Sequence, residues 1–205
     1  MNNNGKQMGF LEVIYGPMKS GKTSRLLQLY KQFKFCEVPV MVINNIKDNR
    51  YSDTCLSSHD KIMIPCIYTD KLSDVFSEVS SPTPTPNNAF NGSHTREFVE
   101  AKVILINEAQ FFEDIVEWVT IAVEKYNKSV YICGLNSDFK RKAFGNWLDL
   151  ELICDKVTHL QSWCSLCKKQ QALFSHRLTN ETDKIVIGSD NYIPVCRKCW
   201  LSLNV

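Results

Sequence analysis

The stretch Gly16-Pro-Met-Lys-Ser-Gly-Lys-Thr23 limits what this chain can fold into more than any other. It fits G-x-x-x-x-G-K-[ST], a pattern that works only where a strand runs into a glycine-bearing loop and the loop into a helix. Both flanks comply. Phe10–Tyr15 (FLEVIY) is a short apolar run rich in strand formers, and Lys22–Phe35 sets Leu26, Leu27, Leu29, Tyr30 and Phe33 at helical spacing. In such a loop the glycines let the backbone wrap an anion, with successive N–H groups pointing inward. The helix that follows adds the positive end of its dipole. Gly16, Pro17, Met18, Lys19, Ser20, Gly21, Lys22 and Thr23 are therefore candidate ATP-binding residues. Lys22 is suited to the outer phosphates, and the Thr23 hydroxyl to the shell of a magnesium ion. The motif predicts a nucleoside triphosphate and leaves the acceptor open.

The rest of the chain continues in α/β style. Val38–Asn44 reads as a second strand and Asn44–Asp60 as a polar loop. Ile62–Ile67 reads as a strand and Asp70–Val79 as a short amphipathic helix. Ser80–Ser93 (SSPTPTPNNAFNGS) buries too little apolar surface to order itself and reads as a flexible insertion, residues 80–93. Val103–Ile106 is an apolar strand, Phe112–Lys125 a helix and Ser129–Cys133 a further strand. Short apolar strands alternating with helices predict a parallel sheet flanked by helices on both faces. From about Cys154 helical periodicity fades and paired cysteines appear. The reading is a nucleotide-binding domain over 1–153 and a small second domain over 154–205.

That second domain holds Cys164-Ser-Leu-Cys167 and Cys196-Arg-Lys-Cys199, two C-x2-C knuckles. Four thiolates so arranged suit a tetrahedral structural Zn2+, and all-sulfur ligation leaves no position for a reactive water. A module with little core of its own needs such a staple. Nothing in MNNNGKQMG resembles the apolar segment of a secretory leader, so the nine cysteines are read in a reducing, cytoplasmic setting. No apolar run approaches the ~20 residues of a membrane span. A net charge of +2 gives no broad footprint for nucleic acid or an anionic membrane, and neither is expected as a partner.

One strand end carries chemistry of its own. Lys102–Phe112 (KVILINEAQFF) passes from a buried run to Asn107, Glu108 and two phenylalanines. Parallel sheets place their ligands at the carboxyl ends of the strands, so Glu108 stands where an acid can act. Phosphoryl transfer is mostly positioning and charge stabilisation, and the acceptor hydroxyl needs one group to take its proton.

Taken with GPMKSGKT, the runs IKDNRY (Ile46–Tyr51), SHD (Ser58–Asp60), NEAQFF (Asn107–Phe112), FKRKAFG (Phe139–Gly145), CSLC and VCRKCW resemble the type II thymidine kinases, in that family's order, from about Gly9 to Trp200. The resemblance implies an ATP-dependent thymidine kinase with Glu108 as the general base on the 5′-hydroxyl. It implies Arg50 and Asn107 on the phosphate and magnesium side. Met18, Phe111, Leu135, Phe139 and Phe144 would line the thymine pocket. The segment between the knuckles would close over the nucleoside as a lasso, with Ile185, Val186, Ile187, Gly188 and Tyr192 at the base and sugar. The implied partners are thymidine, with deoxyuridine as a second acceptor, and dTTP as feedback inhibitor. A homotetramer is implied too.

The chain departs from the family pattern in four places. Asn107 stands where the family has Asp, which sets a catalytically weakened binding homologue beside the kinase as an alternative. Lys19 replaces a Phe in the phosphate loop, the lasso is one residue shorter between Gly188 and Tyr192, and the 80–93 insertion is extra.

Overall fold

The strands alternate with helices because the apolar pattern switches between periods of about 2 and 3.6. The computed structural model describes residues 8–48, 55–57, 62–78, 90–179 and 191–203. β1 (Phe10–Tyr15) leads through the phosphate loop into α1 (Lys22–Phe35), then β2 (Val40–Asn45). Three short strands follow: β3 (Cys55–Ser57), β4 (Met63–Pro65) and β5 (Ile67–Thr69). β6 (Ser77–Glu78), β7 (Phe90–Asn91) and α2 (Thr95–Glu100) precede β8 (Val103–Ile106), α3 (Ile115–Thr120) and β9 (Ser129–Gly134). The chain ends with β10 (Lys156–His159), β11 (Ser162–Trp163), β12 (Gln171–Ala172), β13 (Phe174–Arg177), β14 (Tyr192–Val195) and α4 (Arg197–Leu203).

The main sheet runs β10-β1-β9-β8-β2-β5, and every neighbouring pair is parallel. Its inner strand β8 is buried on both faces, which is why VILI reads as an unbroken apolar run. Along β8, Val103 and Leu105 join a cluster with Leu26, Leu27 and Leu29 of α1. Ile104 and Ile106 join the opposite cluster, with Ile115, Trp118 and Val119 of α3. The expected sheet with helices on both faces is the observed architecture.

Several local expectations fail for physical reasons. Asp70–Val79 is not an amphipathic helix. It makes one 3-10 turn, Leu72–Asp74, and then β6. The Leu72 and Ser73 N–H groups donate to the Asp114 carboxylate, and Phe76 stacks on Phe98 with ring centroids 3.8 Å apart. Those tertiary contacts outweigh a weak local preference. The helix expected over Phe112–Lys125 starts later, at Ile115, and ends in a wider π turn over Ile121–Lys125. Ile62–Ile67 splits into β4 and β5. α2 had no signal in its pattern, since only Phe98 of its six residues is buried. It is held from outside by Lys128, whose ammonium donates to the carbonyls of Val99 and Ala101.

The main sheet takes its edge strand, β10, from beyond residue 153, the expected division of the chain. After it come two hairpins. β11 pairs with β12 and β13 with β14, all antiparallel, around a small core of Cys164, Val195 and Cys196. Residues 80–89 of the expected insertion lie outside the described residues.

Candidate active site

The phosphate loop follows directly from β1. Gly16 is required by contact, because a Cβ there would lie 2.3 Å from the Leu160 carbonyl oxygen. Gly21 closes the loop at φ 84°, the left-handed region, where α1 begins. The Lys22 ammonium folds back over the loop and donates to the carbonyls of Gly16 and Pro17, at 2.9 and 2.8 Å. The Ser20 hydroxyl is buried with no hydrogen-bond partner among the described residues. An unsatisfied buried donor inside a loop of this kind fits a phosphate oxygen.

At the end of β8 the backbone turns sharply. Glu108 has φ 54° and ψ 43°, left-handed values that a non-glycine residue adopts at some strain. That turn lifts its carboxylate out of the sheet. Gln110 holds it there by donating from Nε2 to Glu108 Oε2. Asn107 stays buried below. Its Oδ1 accepts from the Cys133 thiol at 3.1 Å, and its Nδ2 donates to Asn44 Oδ1 at 2.9 Å and to Asp48 Oδ2 at 3.4 Å. Asn44 also donates to Asp48 Oδ2, at 3.2 Å. Burial first, and then the nearby Glu108 carboxylate, push the Cys133 thiol well up, so it keeps the proton it donates.

The amide at 107 therefore belongs to a chain of hydrogen bonds that ends on a carboxylate, Asp48. Asp48 lies in the IKDNRY run, so an acid still stands beside position 107, contributed by the turn after β2. An aspartate at 107 would lose both Nδ2 donor bonds and face Asp48 with like charge. Asn107→Asp is expected to lose about 1–3 kcal/mol of stability without magnesium, the range for buried groups stripped of partners. It should recover more than the wild type when magnesium is added. Thermal melts with and without MgCl2 check this, and a variant unchanged in both would refute it.

The pocket candidates fall into linked pairs. Phe111 meets Phe144 edge to face, with centroids 5.4 Å apart. Leu135 accepts from the Trp147 indole through its carbonyl and donates from its N–H to Gln110 Oε1. Met18 N–H donates to Ser175 Oγ at 3.0 Å, which ties the phosphate loop to β13. Phe139 is covered by the Arg177 guanidinium, 3.8 Å from its ring centre. Arg177 also donates from Nε and Nη2 to the Tyr192 hydroxyl. Tyr192 is thus the first residue of β14, paired with Arg177, rather than a loop residue. Arg50, Ile185, Val186, Ile187 and Gly188 lie outside the described residues.

Gln110, Asp48, Ser175 and Arg177 were not singled out from the sequence. Gln110 and Asp48 sit inside quoted motifs, and accounting for their polar atoms could have raised the question. Ser175 and Arg177 carry no local signal, since their roles arise only when β13 meets the phosphate loop and Phe139.

The Sγ atoms of Cys164, Cys167, Cys196 and Cys199 all lie within 4.8 Å of one another. Zinc–sulfur bonds of about 2.3 Å in a tetrahedron put sulfurs about 3.8 Å apart, so the cluster fits the ion with little adjustment. Burial pushes the Cys164 thiol up, but backbone N–H donors of Cys167, Cys196 and Leu166 outweigh it and bring it down to about 6. Arg141 stacks on Trp200 beside the cluster, 3.5 Å from the ring centre. The loop after β9 is thereby packed onto the cysteine unit. No helix among the described residues is long and apolar enough to cross a membrane.

A thymidine kinase family model matches residues 9–200. The chain is 34% identical over 195 residues to a thymidine kinase of Oryza sativa subsp. japonica, covering 94% of this chain and 66% of that protein. It is 32% identical over 197 residues to the cytosolic thymidine kinase of Gallus gallus, covering 96% and 79%. With the thymidine kinase of Fowlpox virus (strain NVSL) it shares 35% over 198 residues, covering 95% and 98%.

Proposed function

Because this chain belongs to the thymidine kinase family, we propose that it transfers the γ-phosphoryl group of ATP to the 5′-hydroxyl of thymidine, giving dTMP and ADP. The observation that carries this reading is the Glu108 carboxylate, raised from the end of β8 and held by Gln110. A carboxylate there can take the proton as the hydroxyl attacks. ATP lies in the Gly16–Thr23 loop, with backbone N–H groups and Lys22 on its phosphates. Lys22 must leave the carbonyls of Gly16 and Pro17 to reach them.

Oxygen ligands suit magnesium, and Thr23 and Asp48 offer them beside the loop, with Asn107 holding Asp48 in place. When bound, magnesium neutralises charge building on the transferred phosphoryl group. Zinc would be held by Cys164, Cys167, Cys196 and Cys199, fixing both ends of the lasso. Met18, Leu135, Phe111, Phe139, Phe144 and Tyr192 line the nucleoside side, and the resemblance assigns residues 185–188 to the base. The resemblance assigns Arg50 to the phosphate side. The cytoplasm is the place of action, in nucleotide salvage for DNA precursors. dTTP inhibition and a homotetramer rest on the resemblance.

A weakened, binding-only homologue is not favoured, because Glu108 is present and Asp48 keeps an acid beside Asn107. The test is thymidine-dependent ADP release across a nucleoside panel at several magnesium concentrations. Turnover with thymidine and deoxyuridine is expected, and little with deoxycytidine. No thymidine-dependent ADP at any magnesium level would overturn the reading.

A further inference from the structure

We infer that Gln110 is a positioning residue of the reaction, setting the Glu108 carboxylate and tying it to the wall of the nucleoside site at Leu135. This rests on the kinase reading and goes beyond it, because Gln110 needs no contact with either substrate. Its side chain is buried and spans two fixed points. Oε1 accepts the Leu135 N–H at 2.9 Å, and Nε2 donates to Glu108 Oε2. The amide has one workable orientation: turned over, it would set a donor against the Leu135 N–H and an acceptor against a carboxylate.

The surroundings leave the side chain nowhere else to go. A Cβ at Gly134 would lie 2.5 Å from Gln110 Oε1 and 2.9 Å from the Trp147 ring. One at Gly145 would lie 2.9 Å from the Gln110 carbonyl oxygen. Gly134, Gly145 and Trp147 thus form a close-fitting seat. The Trp147 indole donates to the Leu135 carbonyl, so both sides of that peptide are anchored. Glu108 stands on a left-handed backbone turn, which fixes its Cα. Gln110 holds one oxygen of that carboxylate and joins the base to the pocket wall as one unit. A carboxylate misplaced by about 1 Å loses much of its catalytic effect.

Chemistry also explains why the residue is a glutamine. A glutamate would satisfy the Leu135 N–H equally well but would face Glu108 with like charge unless it held a proton. Gln110→Glu therefore makes the positioning depend on pH, while Gln110→Met abolishes it at every pH. The charged neighbours Lys22 and Asp48, which with Glu108 bear on the Cys133 thiol, are unchanged in both variants.

The experiment measures kcat and thymidine KM for the full chain and both variants, from about pH 5.5 to about pH 9, by ADP release. Melting temperature and affinity for a fluorescent ATP analogue are recorded alongside. Gln110→Met should lose about 10- to 100-fold in kcat, part of a general base's worth, with KM within about threefold. Gln110→Glu should approach wild-type kcat at the acid end, where its protonated carboxyl donates as the amide does. It should fall at least about 10-fold behind as pH rises and both carboxyls ionise. Wild-type kcat in Gln110→Met, or a wild-type profile in Gln110→Glu, overturns the assignment. So does loss of ATP affinity in step with kcat in both variants, which marks a purely structural residue. Absence of thymidine-dependent ADP from the unaltered chain removes the kinase reading and this assignment together. A working wild type beside an unimpaired Met variant removes the assignment alone.

Discussion

Glu108→Gln should turn over thymidine at least about 100-fold more slowly than the wild type while still binding it. The lower bound is what a lost general base removes. The substitution keeps size and shape and takes away only the charge and the proton-accepting oxygen pair. Gln110 can still meet the new amide through its carbonyl, so the local fold should stand. An interaction made only as the proton moves lowers kcat and leaves KM nearly untouched. Steady-state ADP release gives kcat, and calorimetry with thymidine gives binding. Turnover within about threefold of wild type would remove Glu108 from the proton transfer and leave positioning and charge stabilisation to account for the rate.

Breaking the cysteine cluster should be nearly as damaging, by a different route. Cys196→Ser is expected to lose the bound zinc and at least about 100-fold in thymidine turnover while retaining ATP binding. The apolar core shared by the hairpins around the cluster is small, made of Cys164, Val195 and Cys196. Structural zinc contributes about 10–16 kcal/mol to folding in comparable small units. Without it, β13 and β14 lose their staple, and with it go the Ser175 contact to Met18 and the Arg177 contact to Phe139. The main sheet carries the phosphate loop independently, on two apolar clusters of its own. Metal analysis of the purified variant, a melt and an ATP-analogue titration separate these effects. Full activity in a zinc-free variant would refute a structural role for the cluster.

Those arguments draw on features of unequal legibility. α1 was readable from Lys22 to Phe35, because a phosphate loop demands a helix at its close and the leucines mark the buried face. β8 was readable because a strand covered on both sides leaves no polar residue to confuse it. β10 was not, since Lys156–His159 is polar and mostly exposed, and its place is set by pairing with a strand far back in the chain. Glu108 could be found from its position after an apolar run. What holds it could not: Gln110 reads as one more polar residue until Leu135, just past the end of β9, supplies its N–H. Asn107 looked like a missing acid, and Asp48 restores one from the turn after β2, a relation between distant segments that linear order conceals.

The sheet order sets the timing of assembly. β1, which carries the phosphate loop, is made first, yet its sheet partners are β9 and β10. Phe10 pairs with Ser129 and Glu12 with Lys156, separations of 119 (129 − 10) and 144 (156 − 12) residues. Contacts of that span close late, because the entropy of closing so long a loop opposes them until the contacts it allows are made. During synthesis the nucleotide-binding strand waits, without a neighbour in the sheet, until more than half the chain has emerged. A chain cut before Ser129 keeps every residue of the phosphate loop and lacks the strands that would hold it in place.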